Sequence, residues 1–106
     1  MSTRATIACR RDDGRYSAIY LHFDGYPERT GQILNEHYGD QSAAQALVAG
    51  GDLRCFDETT GKAERYSDGN PPAIMPTHAA LLTFARNCST QFLYVFETNE
   101  WHCHKL

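Results

Sequence analysis

Two β-forming segments, one at each end of the chain, constrain the fold more than any other feature. Near the N-terminus RATIACRR at 4–11 alternates, with Ala5, Ile7 and Cys9 on one side and Thr6, Ala8 and Arg10 on the other. A side-chain period of two is the signature of a strand. Asp12-Asp13-Gly14 then turns the chain, the glycine accepting a positive φ at little cost. YSAIYLHF at 16–23 forms the second strand, with Ile19, Leu21 and Phe23 on one face and Tyr20, His22 and Asp24 on the other. At the C-terminal end QFLYVFE at 91–97 is aromatic and β-branched, Thr98-Asn99-Glu100 turns, and WHCHKL at 101–106 returns. Each end of the chain therefore predicts a hairpin.

Helices are expected between them. Pro27 suits a first helical turn, where its missing N–H costs nothing, and Glu28 favours the positive end of the dipole. Ile33, Leu34, His37 and Tyr38 continue at helical spacing, so 27–38 reads as a helix closed by Gly39. Ser42 with Gln45 suggests a capping box for a second helix, whose stripe is Ala43, Ala44, Leu47 and Val48 and whose stop is Gly50-Gly51. LRCF at 53–56 fits a short strand. Residues 57–76 are polar and rich in turn formers, which predicts a long loop holding at most a small hairpin, and loops of that length are often functional. Thr77 caps a third helix with a face of Leu81, Phe84, Ala85 and Cys88. The expected fold is α+β: an antiparallel sheet of about four strands, from the two terminal hairpins, with two or three helices on one face. A chain of 106 residues predicts a single domain over 1–106.

Composition narrows the function classes. Apolar residues make up 42% and charged residues 22%, which excludes a disordered chain, and no apolar run approaches the length of a membrane span. The net charge is −3. Residues 1–15 carry +2 through Arg4, Arg10, Arg11 and Arg15 against Asp12 and Asp13, so the remainder carries −5. A duplex binder needs a basic stripe, and none is present, so direct nucleic-acid binding is not favoured. Cys9, Cys55, Cys88 and Cys103 form no C-x-x-C pair. The start MSTRATIACRR has no apolar signal core, and reduced thiols in the cytoplasm are expected.

Two constellations carry potential chemistry. His22 and Asp24 project to one side of a strand, as do His102 and His104, and the four would converge if the last strand lay beside the second. Zinc requires three or four such ligands. The alternative is structural: Asp24-Gly25 begins a turn in which the carboxylate accepts backbone N–H groups, His22 donates to that carboxylate or to a carbonyl, and Tyr26 packs over the helix start. On that reading His22, Asp24, Gly25 and Tyr26 are a structural motif, and no metal, cofactor or catalytic residue is expected. Aromatics cluster on the sheet without flanking cations, which suits a protein partner better than stacked bases. The expected partner surface comprises Asp57, Glu58, Glu64, Tyr66 and Asp68 in the loop, with Tyr20 and Trp101 on the sheet.

The segments TRATIA, DDGR, IYLHFDGYPERTGQILNEHY, ALVAGGDL and FLYVFETNEWHCHKL resemble a family of small, largely uncharacterised phage and prophage proteins. HFDGY is the most specific part, and 57–76 departs freely. Asn99 stands where a glycine is common in that family. The resemblance implies a host-cell setting and a counter-defence role, of the kind played by inhibitors of CRISPR effector complexes that bind a host complex without catalysis. A metal-dependent enzyme using His22, Asp24, His102 and His104, or a nucleotide-signal binder using aromatics with Arg10 and Arg11, are the competing expectations.

Overall fold

The computed structural model describes residues 3–106. Its strands are β1 (Ala5–Arg10), β2 (Tyr16–Leu21), β3 (Leu53–Phe56), β4 (Ala63–Arg65), β5 (Ala73–Met75), β6 (Phe92–Glu97) and β7 (Glu100–Lys105). Its helices are α1 (Gln32–His37), entered through a wide helical turn over Pro27–Gly31, α2 (Gln41–Ala49) and α3 (His78–Asn87). The class is α+β, as the sequence predicts. The sheet, however, has seven strands and is mixed, not four and antiparallel. Its order is β4-β3-β2-β1-β6-β7, with β5 also paired to β2.

Both terminal hairpins form, with Ile7 opposite Ile19 and Tyr94 opposite Cys103. They join through β1 and β6, which run parallel with Ile7 beside Tyr94. Alternation specifies which face a side chain takes and leaves the neighbouring strand open, so this parallel contact has no local signature. The supposed loop contributes two strands: β4 pairs antiparallel with β3, and β5 with the first half of β2. Their three-residue lengths and flanking turn formers conceal them in the sequence.

The helices cover both faces of the sheet, which corrects the one-face expectation. On one face α1 and α2 set Ile33, Leu34, Ala44, Leu47 and Val48 against Ile7, Ile19, Leu21 and Tyr94. On the other, Leu81 and Ala85 of α3 sit on Ala8, Ala18, Leu93 and Val95. Leu93–Phe96 is apolar on both sides because it is buried on both sides, the pattern of a central strand. Burial of Leu81 alone contributes about 2 kcal/mol.

A buried polar chain orients α3. Thr90 donates its hydroxyl to the Ala85 carbonyl at 2.8 Å. Its single hydroxyl hydrogen is thereby used, so Thr6 is the donor in the 3.0 Å contact between the two threonines. Thr77 caps α3 by accepting from the Ala80 N–H. At α2 the cap is Asp40, which accepts from Ala43 N–H at 2.8 Å, and Ser42 lies inside the helix. Behind α2, Arg65 donates to the carbonyls of Gly51 (2.8 Å) and Leu47 (2.9 Å), and its guanidinium occupies the space a Cβ on Gly50 would need.

The two candidate caps are separable by mutation. Asp40→Ala is expected to destabilise the protein by about 1 kcal/mol and Ser42→Ala by a few tenths at most, read as urea midpoints. The reverse ranking would contradict the observed cap.

Candidate functional site

The HFDGY segment is a clasp between elements. Asp24 takes a left-handed backbone conformation, φ 57°, which aspartate tolerates better than most residues. The next residue, Gly25, is wedged against the start of β1: a Cβ there would lie 2.8 Å from that of Ala5 and 3.0 Å from the Thr3 oxygen. Gly25 donates its N–H to Thr3 (2.8 Å) and accepts from the buried Tyr94 hydroxyl (2.7 Å). Thr30 closes the turn by donating to the Asp24 carbonyl at 2.7 Å. Tyr26 is partly exposed, and its carbonyl accepts the first helical N–H groups, from Arg29 and Thr30. Arg29 completes the clasp: it donates to the Phe56 carbonyl at 3.2 Å and lies 3.8 Å from Asp24 and 3.5 Å from Glu58. No local pattern in the sequence singles out Arg29, because two of its three partners, Phe56 and Glu58, lie more than 25 residues away.

The details of that clasp differ from expectation. Asp24 contributes its carbonyl and its ion pair, and the anticipated capping role of its carboxylate is not among the described hydrogen bonds. His22 meets neither the carboxylate nor a carbonyl: its Nδ1 pairs with the Tyr20 hydroxyl at 2.9 Å, and its ring stands edge-on to Phe23. Nor do the four candidate ligands converge. β2 and β7 are separated by β1 and β6, about 14 Å of sheet. His104 instead packs edge-on against His78 of α3, and His102 lies beside Glu100 and Thr98. Among the described residues no three His, Cys, Asp or Glu side chains are grouped to hold a metal.

Tyr20, by contrast, borders a half-open cavity of about 470 Å³ on the α3 side of the sheet, lined also by Ala18, Asp52, Asn70, Pro71, Ala73, Phe84 and Cys88. Its floor exists because Ala18 and Ala73 are cross-strand partners on β2 and β5. Asp52 is oriented by the Tyr20 N–H, which donates to Oδ1 at 2.9 Å. Burial pushes the Tyr20 phenol above its ordinary range; Arg4 opposes this, while Tyr66, Cys88 and Asp52 add to it. Alanines, a proline and one aspartate carry no chemical motif, so this site has no signal in the sequence.

The remaining candidates are dispersed. Asp57 accepts from the N–H groups of Thr59 and Thr60, which holds its carboxyl below the usual range. Glu58, Glu64, Tyr66 and Asp68 are exposed along the β3–β4 hairpin and the turn after it. Trp101 stacks on Phe96 and donates its indole N–H to the Tyr38 carbonyl at 2.8 Å, tying β7 to α1. At the far end of the sheet, Cys9, Arg10, Arg11 and Asp12 border a groove of about 370 Å³. Of its arginines, Arg11 bonds Ser17 at 3.1 Å; in the turn beside it Arg15 grips Asp13 through two donors, at 2.8 and 3.0 Å. The Arg15 guanidinium holds the Asp13 carboxyl down at about 2. All four thiols are pushed above their ordinary value, with burial the main cause.

No known protein family, curated protein or solved structure matches this chain. Among the described residues no helix is long and apolar enough to cross a membrane.

The clasp predicts a specific pattern of instability. Tyr94→Phe strips the buried Gly25 carbonyl of its donor and is expected to cost about 1–3 kcal/mol. Gly25→Ala is expected to cost more, since two backbone segments must separate. Denaturant unfolding that finds Tyr94→Phe neutral would contradict the clasp.

Proposed function

We propose that this protein acts by binding and not by turnover, as a counter-defence factor that docks on a host effector complex of the CRISPR class. The observation that carries this reading is the use of the chemically capable side chains. Asp24, Tyr94 and Arg29 hold elements together. Thiols and buried phenols are pushed toward their neutral forms, the opposite of what an activated nucleophile requires. His22, just after β2, and His102 and His104, on β7, are held apart by the two intervening strands β1 and β6.

The docking surface follows from what is left outward. Glu64, Tyr66 and Asp68 stand exposed on the outermost strand β4 and the turn beyond it. An aromatic flanked by carboxylates complements the arginine-rich channel of a nucleic-acid-handling complex. A contact of about 800 Å² per partner suffices for a stable complex. The arginines of the β1–β2 turn face Asp13 and leave no phosphate-binding stripe, which supports a protein partner over nucleic acid.

The test is reconstitution with purified components. The protein is expected to co-elute with one or more of a panel of purified CRISPR effector complexes and to suppress target-DNA cleavage. A Glu64→Lys Tyr66→Ala Asp68→Lys variant, folded by circular dichroism, is expected to lose about tenfold or more in affinity. Absence of co-elution across the panel, with cleavage unchanged, would overturn the proposal.

A further inference from the structure

The cavity beneath α3 is built for a flat ligand. Two paired alanines, Ala18 and Ala73, leave its floor shallow and apolar, and the rings of Phe84 and Tyr20 border it. Its volume, about 470 Å³, lies in the usual range for small-molecule sites. Polar recognition falls to Asp52. A carboxylate offers about four lone-pair sites, and the Tyr20 N–H takes one of them at 2.9 Å. That bond sets the carboxylate plane and leaves Oδ2 with no donor among the described residues. Asn70 adds a neutral amide to the lining.

We propose that this cavity binds a planar heterocycle presenting two adjacent N–H donors, as on the Watson–Crick edge of guanine, with the Asp52 carboxylate accepting both and Phe84 and Tyr20 flanking the ring. Apolar stacking with edge recognition is how a single unpaired base is read. Guanine alone among the common bases sets two donors side by side, N1–H and N2–H. Adenine and cytosine place an acceptor next to their amino group, which would face the carboxylate lone pairs. The net charge of −3 excludes a long phosphate track and suits recognition of one base. The Tyr20–His22 pair at 2.9 Å fixes the phenol at the cavity edge, which gives the HFDGY histidine a positioning role here.

Calorimetric titration of the full chain tests this with guanosine, inosine and adenosine. Guanosine is expected to bind with a dissociation constant below about 1 mM. Inosine, which lacks the N2 donor, is expected to bind about tenfold or more weakly, and adenosine not at all. Asp52→Asn keeps the acceptor for Tyr20 N–H but turns the free position into a donor, and is expected to weaken guanosine about tenfold or more. Ala73→Leu fills the floor from a half-exposed position and is expected to do the same. Two further ligands identify the source. Binding of GMP without binding of a short oligothymidine carrying one guanine assigns a free nucleotide; oligonucleotide binding at least as tight as that of GMP assigns a base in a single strand. No guanosine binding, equal affinity for inosine, or unaltered guanosine binding by the Ala73→Leu variant would overturn the proposal.

Discussion

Strand β1 is the constraint on which the rest of the molecule depends. It is hydrogen-bonded on both sides, antiparallel to β2 and parallel to β6, and Ala5 to Cys9 are buried without interruption. A backbone in that position has no access to water, so every N–H and C=O must find a partner in the sheet. Both faces must also be covered. Ala5, Ile7 and Cys9 contribute to the core under α1 and α2, and Ala8 to the one under α3, while Thr6 is satisfied by Thr90. Small side chains at Ala5 and Ala8 let the Gly25 clasp and helix α3 approach closely.

That central position explains which parts of the fold could be read from the chain. The terminal hairpins were legible because alternation and turn residues act over a few positions. Helix α3 is legible through Thr77 and its apolar stripe, and Asn99, in a turn position where glycine would serve, takes a positive φ of 64°. The parallel pairing of β1 with β6 was not legible, because it joins residues more than 80 positions apart. The apolar run Phe92–Phe96 does hold a clue: a strand apolar on both faces requires cover on both, which conflicts with helices on one side. β4 and β5 leave no signature in the sequence because three residues give no period to recognise. Ser42 and Asp40 are both competent caps, and only the path of the backbone selects between them.

The candidate site shows the same division. The HFDGY run stands out in the sequence, but the contacts that make it a clasp do not. Gly25 is required by close approach and not by its own φ, and Tyr94 and Arg29 reach the turn from remote elements. Tyr20 is legible as a sheet aromatic. The cavity it borders is not, since Ala18, Ala73 and Asp52 acquire meaning only through the β2–β5 pairing and the Tyr20–Asp52 bond. A site made by the absence of side-chain volume leaves little trace in composition.

Polar groups that hold elements together and an exposed acidic edge at β4 are two consequences of one architecture, in which a doubly covered β1 organises everything else. Native-state hydrogen exchange followed by NMR tests that architecture most directly. The amides of Thr6, Ile7 and Ala8 should be the slowest in the protein and exchange only through global unfolding, with the outward amides of edge strand β7 far faster. Exchange of the β1 amides at rates matching the edge strand would contradict it.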